Sequence, residues 1–529
     1  MPCAMCGSAI APDAAFCGFC GAAVGAAPHA KSALQASVLV DTAVGPEVRH
    51  TGTQATAVTP TQQAAVGPRR VAARDVTRYL CAAAYLDREY ARLLVRQISA
   101  EPHLAVAPAP ECDVPVVLCH AYGAIIRRRH RDLLLAVLLA LAIVSLFLQK
   151  FTLFLLPLFL AWATVLVFDY STRFGRHLQS LRPGYFKASA APAPPNRKVA
   201  ARLRQIGDYA AGNVTVYSGF SPFVGYGIEL DSWSFALDVT KPAKDGDAPV
   251  TGFDVTEIYD YIASRLKTLI LPDLQVTERL FVDGSTIIDD ERFLSDPFGR
   301  PRSRVSTAQV DALKREPEDR ARPYLAVHST GWGGELVYSL FLRFNRSESN
   351  LFVEANHTAL APLLSRYKII DSLMPHPSVA DLWSLFKAAS VNTWIDLPAA
   401  PLRVARSFDL GFRMASRVGR QNRMIGELRW FDYGARLSVR QQASDTVYQR
   451  YFQKLDNDMA MKVAQKRVLD ALIEFADDHG IDTADLVERQ NSIINNGIIA
   501  SGDAQVKGNA LASGESARAS VRTRRKRAD

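Results

Sequence analysis

No Asp, Glu, His or Arg occurs between Leu133 and Phe168, where only Gln149, Lys150 and a few hydroxyls interrupt an apolar run of 36 residues. That gap excludes an ordinary solvated helix, which needs a polar face. It also argues against an ion or proton route, because such routes carry ionisable groups within the span. Equally missing are G-x4-G-K-S/T, G-x-G-x-x-G after a strand, G-x-S-x-G and H-E-x-x-H, so no phosphate loop, nucleophile elbow or metalloprotease helix can be read. The first 30 residues contain no Lys or Arg. Met1-Pro2-Cys3 has neither the charged nor the apolar region of a secretory signal, which predicts a cytoplasmic N-terminus.

A single helix through the apolar run would be about 54 Å long, against a hydrocarbon core of about 30 Å. Two spans fit better: Leu133 to Leu148 and Phe151 to Phe168, with Gln149 and Lys150 at the tip. Arg127, Arg128, Arg129 and Arg131 precede the run and Arg173 and Arg176 follow it, so the positive flanks place both ends in the cytoplasm. Pro157 lies inside the second span, where it predicts a kink or a shorter, re-entrant passage. A buried helix pair in a soluble core is the competing reading.

Four of seven cysteines fall in the first 20 residues as Cys3-x2-Cys6 and Cys17-x2-Cys20, each pair followed by glycine. Two such pairs can place four thiolates around one tetrahedral ion, and a full protein ligand set leaves no position for catalytic water. A disulfide pair is the alternative, disfavoured in a reducing compartment. The stretch PCAMCGSAIAPDAAFCGFCGAAV resembles the double-knuckle zinc ribbon found at the ends of many bacterial proteins, and the resemblance implies structural Zn(2+) on Cys3, Cys6, Cys17 and Cys20. NVTVYSGFSPFVGYG and NNGIIASGDAQVKGNA resemble segments of bacterial-type two-pass membrane proteins carrying this ribbon; that likeness implies an architecture and no active site. Cys81, Cys112 and Cys119 stand apart and read as small buried residues.

At 529 residues and 48% apolar composition the chain can build two or three cores. The expected order is a zinc ribbon over 1–25, a flexible linker over 26–71 and a helical juxtamembrane segment over 72–131. A two-pass hairpin over 132–170, a Pro/Ala linker over 187–198, an α+β domain over 199–490 and a Gly-rich basic tail over 491–529 follow. Residues 72–99 predict one amphipathic helix, and a second from Pro115 continues into the apolar run, the two packing as a collar.

In the α+β domain, Val214 to Tyr217 and Gly227 to Val239 read as strands, the second with a bulge where its alternation slips at Asp231-Ser232. Asp254 to Ile270 reads as a capped helix, and Asp283-Gly284 as a hairpin turn. Leu336 to Phe344 and Leu351 to Ala355 form the clearest hairpin. Helices are expected at Ser378 to Lys387, at Leu402 to Ser416 and from Ser444 to Gly480, with strands at IGELRW and ARLSVRQ. Gly502, Gly508 and Gly514 recur every six residues in a tail read as low-complexity sequence.

Candidates for chemistry are sparse. Asp289, Asp290 and Glu291 form the tightest acidic cluster; Glu354 precedes His357; His328 sits beside Ser329-Thr330; GWGGE (331–335) reads as a turn with Trp332 in the core; and SGFSPFVGYG (218–227) is the best ligand or partner loop. The sequons at Asn213, Asn345 and Asn356 matter only outside the cell. The reading that results is a membrane-anchored cytoplasmic scaffold or sensor with a structural zinc ribbon, whose partners are the lipid bilayer, an unidentified protein and, as an option, further copies of itself. Two alternatives stay open: an enzyme with a site dispersed through the α+β domain, and a membrane-tethered nucleic-acid binder using the ribbon and the arginine tail.

Overall fold

A computed structural model describes residues 72–243 and 249–494. Cys3, Cys6, Cys17 and Cys20, the linker before residue 72 and the glycine rhythm of the tail all lie outside the described residues. The described architecture is α+β: a helical region containing two long apolar helices, and a mixed six-stranded sheet.

The helical region begins with α1 (Ala72–Leu86) and α2 (Arg88–Leu94), which runs into one π-helical turn at Val95–Ser99. The single helix expected over 72–99 is broken at Asp87, whose extended backbone and carboxylate cap α2 by accepting from the N–H groups of Glu89 and Tyr90, both at 3.0 Å. Helix α3 (Val114–Phe147) is capped by Asp113 and has Pro115 in its first turn. Leu148, Gln149 and Lys150 turn it, Gln149 with φ of 56°, into α4 (Phe151–Arg173), which continues through Pro157. Both helices are long and apolar enough to cross a membrane. Their outward faces are greasy: Leu141, Val144, Leu148, Leu155 and Phe159 are each more than half exposed.

Short α5 (Arg176–Gln179) and α6 (Arg197–Asp208), capped by Asn196, complete a core with α1, α2 and the first turns of α3 around Leu80, Leu94, Val117, Leu118 and Leu203. Cys81 and Cys119 are buried in this core and Cys112 is half-buried at its edge.

The sheet orders its strands β1 (Val214–Tyr217), β3 (Gln275–Asp283), β4 (Ala321–Gly331), β5 (Leu336–Arg346), β6 (Asn350–Leu360) and β2 (Ile228–Asp238); β1 and β3 are parallel and all other neighbours antiparallel. The β5–β6 hairpin forms as its alternation predicts, pairing Leu342 with Ala355 and Phe344 with Val353. The bulge in β2 is present between Glu229 and Asp231. One face of the sheet, carrying Leu325, Val327, Leu340, Leu342 and Val353, packs against α7 (Val255–Leu266) and α10 (Tyr451–Asp478) through Ile258, Ile262, Val468, Leu472 and Phe475. Each such side chain contributes about 1.5–3 kcal/mol on burial. Helix α8 (Thr307–Arg315), with a Ser306–Gln309 capping box, and α11 (Ala484–Ile494) flank this layer.

Several local expectations are overturned. Asp283-Gly284 joins no hairpin, because β3 pairs with β1 and β4 and its end runs into turns through residue 294. The two helices expected at 378–387 and 402–416 are one, α9 (Val379–Arg423), capped by Ser378 with Asp381 and continuing through Pro398 and Pro401, beside which Leu397 and Ala400 are packed against the apolar helices. IGELRW and ARLSVRQ form no strands: Met424–Leu428 is a π-helical turn, and residues 431–435 cover the edge of β1. The helix expected from Ser444 starts at Tyr451, and that expected to reach Ile270 stops at Leu266.

That edge requires glycine. Ala435 donates to the Val216 carbonyl at 2.9 Å and Tyr433 to that of Gly284 at 3.0 Å, so a Cβ added at Gly434 would lie 2.1 Å from the Tyr217 carbonyl oxygen. Gly434→Ala should therefore destabilise the domain by about 1–3 kcal/mol, whereas Gly331→Ala, whose Cβ meets nothing within 4 Å, should change stability by less than about 0.5 kcal/mol. Urea unfolding of the two variants in detergent checks this; equal midpoints would refute the close approach.

Candidate functional site

The foot of the two apolar helices holds a dense cluster of charges. It is built from three segments far apart in sequence: α2, the arginine-rich turns of α3, and the part of α9 that follows its prolines. Helix α9 reaches this place because its first half is apolar. Ala389, Leu397 and Ala400 pack against Leu135, Leu138, Ala161 and Val165, and the small residues let the helices approach closely. Trp162 donates its indole N–H to the Ser390 hydroxyl at 3.2 Å and meets Phe386 edge-on at 5.3 Å, while Phe386 stacks on Trp383. On the outer side Trp383, Val391, Trp394 and Ile395 are exposed.

Where α9 changes character, at Asp396 to Arg406, the charges interlock. Asp132 is only 2% exposed and receives three arginines: Arg88 at 2.6 Å, Arg131 at 3.0 Å and Arg403 at 3.9 Å. Asp396 takes second contacts from Arg131 at 3.2 Å and Arg403 at 2.5 Å. An unpartnered charge at such depth would be strongly destabilising, so the cluster locks the three elements together. Arg128 reaches back to the carbonyls of Ala84 and Tyr85 at the end of α1. Burial holds the Arg88 guanidinium below its ordinary pKa, with Asp132 opposing the shift.

These groups line a cavity of about 470 Å³ whose wall carries seven arginines, at 88, 92, 96, 128, 129, 403 and 406, against two carboxylates, Glu89 and Asp132. Arg92 pairs with Glu89 at 3.0 Å. Arg96 and Arg406 are exposed and have no carboxylate partner among the described residues. The arrangement suits an anion such as a phosphate ester, for which guanidinium offers planar, paired donors.

The sites expected from sequence fare differently. Two of the three acids in the Asp289–Glu291 cluster are held in ion pairs, Asp290 with Arg292 at 2.7 Å and Arg320 at 3.9 Å and Asp289 with Arg429, while Glu291 is exposed. Burial alone would raise the Asp290 carboxyl, but hydrogen bonds from Arg292 hold it below its usual value. Glu354 and His357 do not meet, since odd spacing in β6 turns them to opposite faces. Glu354 accepts from Tyr324 at 2.8 Å, while His357, fully buried rather than in a solvated loop, bonds Tyr338 at 2.8 Å and has its pKa lowered to about 4 by burial.

His328 is likewise on a strand, bonded to Ser339 at 2.9 Å and stacked on Tyr226 with ring centroids 5.2 Å apart. In the 218–227 loop, Phe223 and Tyr226 roof the second sheet face over Phe281 and Phe341, leaving Phe220 exposed. Trp332 is half-buried against α10, donating to Asp456 at 2.8 Å from a left-handed backbone, instead of lying in the core.

The chain belongs to the AbeC-like domain family, whose match spans residues 232–509, more than half of its length. No curated protein and no solved structure matches it. From that premise the arginine cavity is a junction: Arg403 and Arg406 lie inside the family domain, whereas Arg88, Arg92, Arg96, Arg128 and Arg129 lie outside it. Sequence reasoning missed the cavity because it took Arg127–Arg131 only as a topology signal. The findable sign was in α9, where an apolar aromatic stretch passes through two prolines into a basic one, the same order of character as the run at 133–168 and its flanks.

Proposed function

We propose that this protein is a membrane-anchored cytoplasmic binding protein, a scaffold or sensor, whose arginine cavity grips the phosphate of anionic lipid headgroups. The observation that carries the reading is seven arginines against two carboxylates at the foot of two outward-apolar helices. In a bilayer, that foot meets the headgroup layer, where basic pockets between helices take anionic lipids. The outward apolar residues of α3 and α4 meet acyl chains, and Trp383 and Trp394 of α9 are the amphipathic aromatics that favour the interface. Lys150 is the far tip, with both chain ends in the cytoplasm. The four N-terminal thiolates hold structural zinc in a ribbon that meets a protein partner.

Arg96 and Arg406 are exposed and take part in no ion pair among the described residues, so their replacement leaves the structural ion pairs described above in place. Each arginine near an anionic surface is worth about 1 kcal/mol, and Arg96→Gln with Arg406→Gln should weaken phosphatidylglycerol binding by roughly thirtyfold, measured by native mass spectrometry of the detergent-solubilised chain. Equal affinity for phosphatidylglycerol and phosphatidylcholine in the unaltered protein would remove the proposal.

A cysteine placed at position 150 should label with an impermeant maleimide from outside intact cells, while one at position 50 should label only after permeabilisation. Outside labelling at position 50 would reverse the orientation. For the ribbon, elemental analysis should find one zinc per chain, lost in Cys17→Ser; metal retained by that variant would sink the assignment.

A further inference from the structure

A second cavity, of about 320 Å³, lies over the sheet face opposite α7 and α10. One wall is polar, made of Gln275 and Arg279 on β3 and His328 and Thr330 on β4, with the Tyr226 ring beside them. The other is apolar and proline-rich: Val106, Pro108, Pro110, Val114, Pro115 and Ile206. The first wall follows from strand alternation, since Gln275 and Arg279 share one face of β3 and His328 and Thr330 one face of β4. The second is the segment that leads into α3 together with the first residues of α3 and Ile206 of α6.

Arg279 is the unusual member. It is half-buried and lies 5.9 Å from the Tyr226 ring centroid, yet it makes no ion pair or hydrogen bond among the described residues; its Nε is sealed from solvent without a partner. The neighbouring His328 Nε2 is also sealed and unpartnered, its Nδ1 being committed to Ser339. Buried groups of this kind are ordinarily satisfied, and here both side chains line the same cavity, with the rest of the Arg279 guanidinium also free of hydrogen bonds among the described residues. The one acid on the wall, Glu111, does not pair with Arg279. It lies in the field of Arg440, which is fully buried and bonds the adjacent Pro110 carbonyl at 2.7 Å.

We propose that this cavity binds a small monocarboxylate with an apolar body, its carboxylate on the Arg279 guanidinium and its body against the proline-rich wall. Charge selects the headgroup: with Glu111 offset by Arg440, the wall offers one cation, which matches a singly charged carboxylate and leaves a phosphate dianion under-neutralised. Burial and the neighbouring Arg279 push the His328 pKa down to about 3, so the imidazole stays neutral at physiological pH and adds no second charge. The size falls within the range of small-ligand sites. The site is separate from the arginine cavity and does not depend on the lipid reading.

The test is calorimetric titration of benzoate into the full-length chain in detergent. Saturable binding with one site per chain is expected, at least tenfold tighter than benzyl alcohol, which has a similar body without the charge, and at least tenfold tighter than inorganic phosphate. Arg279→Gln should weaken benzoate at least tenfold. Ala210→Trp, at an exposed position on the cavity wall, should do the same by filling the mouth, and it decides the matter if Arg279→Gln fails to fold. No benzoate binding, undiminished binding by the folded variants, or equal binding of benzyl alcohol or phosphate would overturn the proposal.

Discussion

The carboxylate of Asp132 is the constraint on which the helical half of the protein depends. It is buried, so it must be paired, and its partners come from α2, α3 and α9, separated by as many as 315 residues in the chain between Arg88 and Arg403. In the structure the three elements are placed so that all of these pairs form at once. Apolar packing of α9 on α3 and α4 is non-directional and would tolerate sliding; the ion cluster at Asp132 and Asp396 fixes the register. Such clusters add little net stability compared with a well-packed apolar core, and their attested use is specification of a unique arrangement. Here the arrangement they specify sets seven arginines around one cavity.

The sheet works by the opposite principle. Its first face is almost wholly apolar, and its stability comes from Leu340, Leu342 and Val353 meeting Val468, Leu472 and Phe475. Its second face is mixed, with Phe281 and Phe341 roofed by Phe223 and Tyr226 beside a polar stretch containing Arg279, His328 and Ser339. Alternation along a strand lets one backbone serve both purposes, since consecutive residues such as Val327 and His328 point to opposite sides. A polar second face costs little where it borders open space, which is where the smaller cavity lies.

How much of this was legible in the sequence follows from the range of the interactions involved. The apolar helices and their turn at Gln149 and Lys150 were legible because composition and charge over a few turns decide them. The β5–β6 hairpin was legible because both strands alternate strictly and a polar turn separates them. Asp283-Gly284 misled because a turn dipeptide says nothing about which strand pairs next; β3 takes its partners from β1 and β4. Pro398 and Pro401 misled because local propensity favours a break, whereas tertiary packing of α9 on the apolar helices carries it across. The arginine cavity was illegible as a site because its cations come from three segments whose meeting is decided by Asp132, a residue that reads locally as one more charge in a flank. Arg279 offered still less, since a lone arginine in a strand is ordinarily paired, and only the structure shows that it has no ion pair among the described residues.

Helix α3 joins these features into one body. Its first residues, Val114 and Pro115, wall the smaller cavity; Arg128, Arg129 and Asp132 wall the larger; and Leu133 onward is the apolar stretch. Pro115 and Arg128 are 13 residues apart on one helix, about 20 Å along its axis. A ligand between the sheet and segment 106–115 would thus touch the root of the same helix whose foot faces the headgroup layer in the membrane-anchored reading. A change in the position of that root is carried along α3 or absorbed at the Asp132 cluster, which ties α3 to both α2 and α9. One helix thus carries the wall of both cavities and the apolar stretch beyond them, so its position couples the sheet to the charge cluster.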